Sequence, residues 1–557
     1  MIYNMYAKYN LLNTFVNITL FAGFISLYLS LETIKKYKKF SIFFSSFLSV
    51  ILVLGTNLEL NSDIKWNILL SLNIFTLTFS FYPLILKLAN INWKIANKLK
   101  SNNFLKTFLI ILFLNMLAYL AMYPGIYHYD AGYQIMEIIK PNVQITNHFS
   151  YLYCLVLGNL VRLGKILFDS YAIGFGIFIL LQSILLTYVY TKIVCFVNER
   201  LNSSVFKILM IIFFGVFPLS TTMLVSATQD TIFAAFFALC LIHIYQFIEN
   251  DNYFNEKMNI IKFIALSFLL CVSRNNGIYV LLFIIPFAII VLKGKRIRAF
   301  ILILVPIILF KAYDSILLPK LGVVKAEPIR EMSSVPSQQF ARVYTYDKLS
   351  INEQEKLDLF YNLEAFNVYE LNQSIADSMK GGLDVNYTEE HLFDYFKFWI
   401  LTGINHPINY TEAFLLNNLG YWFPNKNYYD SRIYHNYLYY DMLDAKIWNK
   451  DYVSIKRHSI ISPYNNLNHI IIEKNQWKYI PILNTLFTMG FYFIIISYSL
   501  IFNIINRRYK LLLPYSFIFG LYFTLLLSPV AIFRYFYSIF IIIPICISDI
   551  ITIKKSL

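Results

Sequence analysis

Long apolar runs alternate along this chain with short polar connectors. A helix that crosses a bilayer needs about 20 mostly apolar residues. Such runs lie near 11–31, 40–60, 67–88, 104–124, 171–191, 205–225, 231–248, 260–273, 278–292, 299–318, 479–505, 511–528 and 534–553. The pattern predicts an all-α polytopic membrane protein with roughly 13 transmembrane helices. The run 260–273 is short and leads directly into Arg274 to Gly277, so it reads as a tilted span or half of a broken one. One long segment, 319–475, departs from the pattern, being rich in Asn, Tyr and charge, with helical stretches near 351–380 and 389–418. It is large enough for a small, mostly helical domain. The chain therefore divides into N-terminal spans (1–103), a core of spans with a loop at 125–170 (104–318), the polar domain (319–475) and C-terminal spans (476–557). No internal repeat is visible.

Composition narrows the class. Of 557 residues, 58% are hydrophobic and 14% charged. Soluble domains carry about 25% charged residues. A chain this apolar cannot cover a water-facing surface, which excludes soluble enzymes and disordered proteins. The net charge is +15, but the basic residues sit in short clusters between apolar runs. That is the pattern of membrane topology, not of a nucleic-acid groove. The five cysteines all lie in apolar stretches, so no disulfide framework is implied. The first apolar run is of full spanning length and lacks a basic leader, so no cleavable signal peptide is expected.

Basic clusters mark the cytoplasmic ends of spans. They stand at Lys35 to Lys39, Lys87 to Lys100, Lys293 to Arg298, Arg507 to Lys510 and Lys554–Lys555. With all of these inside, the run 148–168 cannot cross, although it is long enough; parity makes it a helix in the outer interface, with Arg162 and Lys165 at the headgroups. The same parity places 125–170, Thr228 to Asp230, Arg274 to Gly277, 319–475 and Ser528 to Arg534 on the outer face.

Ionisable residues at membrane depth are costly and are functional candidates by default. Asp130 follows Pro124 and Gly125, which end a span and turn the chain back. A carboxylate there can act as general base or hold a divalent cation such as Mg or Mn; the plainer reading is an N-cap. Asp230, in Thr228-Gln229-Asp230-Thr231, carries the same two readings. Arg274 and Arg534 interrupt apolar stretches on the face that carries the acids. Guanidinium groups clamp phosphate with paired donors, although arginines near span ends also snorkel to headgroups. His148 and His406 are lone histidines, more often structural than ligating. Trp422, in Tyr421-Trp422-Phe423-Pro424, offers a stacking surface for a sugar, yet aromatics are common at the interface. Metal spacing, nucleotide loops and a Gly-x-Ser-x-Gly elbow are absent.

The order of these motifs resembles the GT-C superfamily of polytopic glycosyltransferases, and more closely an uncharacterised bacterial branch of it. The resemblance rests on Pro124, Gly125, Asp130 and Gln134, then His148, Gln182, Gln229-Asp230-Thr231, and Arg274, Asn276, Gly277. In the polar domain it rests on Ser334 to Arg342, Asp377, Lys380, His406-Pro407 and Gly420 to Pro424; near the end it rests on Ser528-Pro529-Val530 and Arg534-Tyr535. The turn at 229–231 has Gln where Lys is expected, and about three spans precede the one that leads into Asp130, whereas the superfamily's acid usually follows the first span. The resemblance implies a sugar moved from a polyprenyl-phosphate carrier to a glycan, lipid or protein acceptor outside a bacterial cell membrane. It implies Asp130 as catalytic acid–base or metal ligand and Asp230 as a second carboxylate. It also implies Arg274 and Arg534 on the donor phosphate, with Gln134, His148, His406, Trp422 and Tyr535 as further substrate-binding candidates. A flippase for a lipid-linked glycan, which would need repeat-related broken helices and charges facing both sides, and a polysaccharide polymerase or ligase are the alternatives.

Overall fold

The computed structural model describes residues 36–64, 66–91, 103–127, 129–140, 142–347, 349–424, 453, 455–473, 476 and 483–556. The expected span at 11–31 and the stretch 425–452 lie outside these residues. The described elements are helical, joined by turns and four isolated β-bridges. Eight of the helices are long and apolar enough to cross a membrane, or nine if one bent pair is a single span. The thirteen expected runs therefore resolve more coarsely, as 276–291, 489–505 and 509–525 form shorter apolar helices.

The chain divides into two compact units, Met1–Lys94 with Lys554–Leu557, and Ile95–Ile553. In the first, α1 (Lys38–Asn61) and α2 (Ile68–Asn90) pack as a helical pair. Asn67 caps α2 by accepting from the Leu70 N–H at 2.9 Å.

The second unit carries every candidate site residue, so the core spans, the polar segment and nearly all of the C-terminal spans belong together. Its helices begin with α3 (Phe104–Ala121), α4 (Tyr129–Ile139), α5 (Tyr151–Phe168) and α6 (Tyr171–Leu201). A bent pair follows, α7 (Ser204–Gly215) and α8 (Pro218–Leu224), with 49° between them. Pro218 stands at the start of α8, where its missing N–H breaks no helical bond. Next come α9 (Gln229–Glu249), α10 (Lys257–Ser273), α11 (Asn276–Val291) and α12 (Arg296–Lys320).

The long α6 gives the unit its two ends. Near its start, the Gly176 carbonyl accepts from Tyr119 Oη at 2.9 Å, and Gln182 Nε2 donates to the Leu224 and Ser226 carbonyls at 2.9 Å. At its far end Arg200 pairs with Glu249 and, at 2.8 Å, with Asp549. α9 spans the same distance, from Asp230 to Glu249, about 30 Å for its length. That matches the hydrocarbon thickness of a bilayer. At the far end Arg508 Nη1 donates to the Asp549 carbonyl at 3.0 Å and Lys295 Nζ to the Asp251 carbonyl at 2.7 Å.

α5 is likewise long and apolar enough to cross a membrane. It packs against α4 and against the first turns of α6. Tyr153 meets the Phe178 ring edge-on at 5.4 Å, and Gly164 lies against Gly174. Tyr153 and Gly164 on α5 thus both meet the first turns of α6, and α6 continues to Arg200.

The polar segment builds its own core. Here α13 (Ser334–Tyr346), α14 (Ile351–Phe360), α15 (Leu392–Asn405) and α16 (Pro407–Asn417) surround Phe340, Tyr361, Tyr395 and Phe398. Buried hydroxyls pair within it, Tyr361 with Tyr395 at 2.6 Å and with Ser337 at 2.9 Å. Arg342 forms a buried ion pair with Glu412. The chain ends in α17 (Met489–Ile505), α18 (Leu512–Leu525), α19 (Phe533–Ile541) and α20 (Ile543–Ser556).

Close approach of α5 and α6 depends on glycine. A Cβ on Gly174 would lie 2.2 Å from the Leu160 carbonyl oxygen and 2.8 Å from Val161 Cα. Both are backbone atoms, which cannot rotate away. Gly174→Ala should therefore destabilise the protein by about 1–3 kcal/mol. A thermal melt in detergent checks this against Gly294→Ala, where a Cβ meets nothing within 4 Å and little change is expected.

Candidate functional site

Four helix ends meet at the near end of the bundle. Asp130 opens α4, Asp230 opens α9, Arg274 follows α10 and Arg534 opens α19. Their positions follow from local backbone chemistry. Gly125 has φ +131°, in the region that favours glycine, and its N–H closes a turn onto the Met122 carbonyl at 2.7 Å. A Cβ there would lie 2.6 Å from Ile179 Cγ1 and 3.0 Å from the Val225 oxygen. The chain then pairs with the second turn: the Ile126 N–H donates to the Val225 carbonyl at 2.8 Å and the Ala227 N–H to the Ile126 carbonyl at 3.0 Å. Gln182 holds the other edge of that turn. Residues a hundred apart in sequence are thereby fixed side by side, one ahead of each acid.

The two acids and two arginines form a linked set. Arg534 pairs with Asp130, and Arg274 pairs with Asp230. The pairs are joined because Arg534 Nε also lies 3.8 Å from Asp230 Oδ2. Tyr535 lies between the cations, its ring centroid 4.2 Å from the Arg274 guanidinium and 4.9 Å from that of Arg534. Its hydroxyl accepts from Arg534 Nη2 at 3.3 Å. The Asp230 and Arg534 side chains are only 3% and 8% exposed, whereas those of Asp130 and Arg274 are 16% and 18% exposed. One acid and one cation are thus the inner, fixed members, and the other acid and cation face outward. Formal charge within the set sums to zero.

A divalent cation does not fit this donor set. Mg and Mn favour several oxygen ligands, and each carboxylate here already has a guanidinium beside it. Among the described residues no group of three or more His, Cys, Asp or Glu side chains is placed to hold a metal ion.

The loop before Arg534 is held by the polar segment. Asn417 Nδ2 donates to the Ser528 carbonyl and Asn418 Nδ2 to the Leu526 carbonyl, both at 3.0 Å. The Ala376 N–H donates to the Pro529 carbonyl at 2.7 Å, and Ile375 bridges Val530. Tyr421 Oη donates to the Val530 carbonyl at 3.3 Å. From Arg274, the next anchor is Asn276, whose Nδ2 donates to Thr524 Oγ1 at 2.9 Å on α18.

The other expected residues fall in different places. Gln134 stands one turn after Asp130 and is buried. His148 is exposed and meets only the Phe149 ring edge-on, at 4.7 Å, among the described contacts. Its neighbour Asn147 ties the loop, donating to Asp314 Oδ1 at 3.1 Å and accepting from the Ala326 N–H at 2.7 Å. The Trp422 indole donates to the Leu415 carbonyl at 3.2 Å and its side chain is buried, so in that motif it is Tyr421 that reaches the loop before Arg534. His406 belongs to a separate polar cluster, its Nδ1 2.7 Å from Asp347 Oδ2 and its Nε2 3.6 Å from Glu353 Oε1. Burial alone would raise the Glu353 carboxyl; hydrogen bonds from Asn405 and Ser350, with His406 nearby, outweigh it and lower the pKa to about 2.

Two residues at the site gave little signal in sequence. Thr228 caps α9 and donates to Asp230 Oδ2 at 3.0 Å; a threonine ahead of an acid reads only as a cap. Ser150 starts α5, and its N–H donates to Gln229 Oε1 at 2.9 Å, which gives Gln229 a structural task beside Asp230.

Residues 66–556 match a family described as "Family of unknown function (DUF6020)", and the chain belongs to that family. No curated protein and no solved structure matches the chain.

Because Asp230 carries both arginines, Asp230→Ala would leave buried cations with half their compensation. Breaking a buried pair in this way costs about 3–5 kcal/mol. The expected outcome is loss of folded protein on size-exclusion chromatography in detergent, with Asp130→Asn milder because Asp130 is more exposed. The lowered carboxyl of Glu353 sets a second expectation. Its stabilising contribution is present above pH 4.5 and lost as the pH falls toward about 2. Backbone hydrogen exchange at 350–354 and 403–407 should lose protection over that window in the wild type, and Glu353→Gln should flatten the profile.

Proposed function

We propose that this protein is a membrane glycosyltransferase. In this reading it moves a sugar from a polyprenyl-phosphate carrier to a glycan, lipid or protein acceptor on the outer face of a bacterial cell membrane. The observation that carries the reading is the linked set of two carboxylates and two guanidinium groups at one end of a membrane-spanning bundle. The far end, some 30 Å away along α9, holds Arg200, Lys295 and Arg508. By the positive-inside rule that far end is cytoplasmic. A polyprenyl phosphate cannot leave the bilayer, so its enzyme must offer acids and cations at the interface.

The chemistry follows from the division of the set. The acceptor hydroxyl attacks the anomeric carbon of the donor sugar while Asp130 takes its proton. The bond from that carbon to the phosphate oxygen breaks, and the electron pair leaves on the polyprenyl phosphate. Arg274, the outward-facing cation, and Arg534 stabilise the charge that develops there. Asp230 and Tyr535 hold both guanidinium groups in place. Phosphate engaging Arg534 would loosen its hold on Asp130, which frees the carboxylate to accept a proton once the donor is bound.

Asp130→Asn keeps size and removes the charge. It should lower transfer from a polyprenyl-phosphate sugar by about 10²–10⁴ in membranes that hold normal protein levels. Near-normal transfer by Asp130→Asn would reduce Asp130 to a structural ion pair. Arg274→Lys tests the phosphate role, since a single ammonium replaces a planar fork poorly. A large rise in KM for the donor is expected, with the fold intact.

A further inference from the structure

Buried polar groups are normally hydrogen-bonded, so an exception calls for an explanation. Among such exceptions around the acid–arginine set, two stand out on neighbouring helices. Gln134 is 1% exposed, and neither its amide nitrogen nor its amide oxygen has a hydrogen-bond partner among the described residues. Tyr153 is 5% exposed, and its hydroxyl is in the same position. A glutamine amide carries two donors and an acceptor, and a phenol carries one donor and an acceptor. Together they form an unused set of both kinds.

Their placement points at the site. Gln134 is four residues after Asp130 on α4, so the two share a helix face. Tyr153 is on α5, which packs closely against α4: a Cβ on Gly158 would lie 2.5 Å from Ile138 Cβ. The start of α5 is tied to the second acid's turn through the Ser150–Gln229 hydrogen bond. Tyr153 stands one turn after Ser150, so it follows directly on that tie. Glu137, the other acid on α4, accepts from Thr146 Oγ1 at 3.2 Å through one carboxylate oxygen, while its other oxygen is buried without a partner among the described residues. The unused donors and acceptors therefore sit on the helix that Asp130 opens and on the helix packed against it.

Resting on the donor assignment made under Proposed function, we propose that Gln134 and Tyr153 bind the hydroxyl groups of the carrier-linked sugar, while the arginines hold its phosphate. A sugar ring presents hydroxyls that both donate and accept, which is what an amide and a phenol can pair with. Each is a specificity-determining residue, and neither takes part in proton transfer.

The test uses the full-length protein in lipid nanodiscs. The probes are undecaprenyl phosphate and its glucosyl, mannosyl and N-acetylglucosaminyl esters. Wild type should prefer at least one ester over the bare phosphate lipid. Gln134→Leu and Tyr153→Phe should each weaken binding of that ester about tenfold, the effect of one lost hydrogen bond to a buried group. Binding of the bare phosphate lipid should stay within about twofold, which also shows that the variants fold. If wild type shows no preference for any ester, or the variants keep the wild-type preference, the assignment is overturned and the two side chains serve only buried water. If wild type binds none of the four lipids, the donor reading fails and takes this assignment with it.

Discussion

A guanidinium group removed from water must find anionic partners, and Arg534 finds two. It pairs with Asp130 and lies 3.8 Å from Asp230, although the three residues come from distant parts of the chain. An unpaired charge at this depth would cost several kcal/mol. The bundle can therefore close only when the ends of α4, α9 and α19 arrive together. Arg274 joins through Asp230, and Tyr535 fills the space between the two cations. The site is thus also part of what holds the spans in register.

The rest of the second unit supports that meeting point. Gln182 on α6 and the Ile126 bridge fix the two acid-bearing turns against each other. On the other side, Asn417, Asn418, Ala376 and Tyr421 bind the backbone of the loop that leads to Arg534. The polar segment therefore does more than face water. It sets the height of the arginine, and anything that moved its α16 would be felt at the ion pairs. Arg342–Glu412 inside that segment ties α13 to α16 and stiffens the same connection.

The opposite end shows a related arrangement with a different result. Asp549 is fully buried, yet Arg200 at 2.8 Å, Tyr245 at 2.6 Å and Tyr515 at 3.2 Å satisfy it. That cluster is complete in itself and acts as a clasp between helix ends. At the near end Gln134 and Tyr153 keep polar atoms unused beside a linked ion set. One polar cluster is closed by its own side chains; the other is not.

Apolar run length and the placement of basic clusters were enough to establish a helical membrane protein, because the bilayer leaves few ways to satisfy a buried backbone. The same logic singled out Asp130, Asp230, Arg274 and Arg534, since a charge in an apolar run needs a reason. Helix boundaries were less legible: runs read as full spans at 278–292 and 511–528 are shorter helices, and the run at 148–168, read as interfacial, forms a helix long and apolar enough to cross. Tertiary structure decided what run length cannot encode. It joined the four charges across up to 404 residues of sequence, separated His406 and Trp422 from them, and brought in Thr228, Ser150 and Tyr153. The physical reason is that a side chain's task depends on what it faces. A serine N–H, a phenol or a threonine has an ordinary identity in sequence, and only packing shows whether its partner is water, backbone or a buried acid.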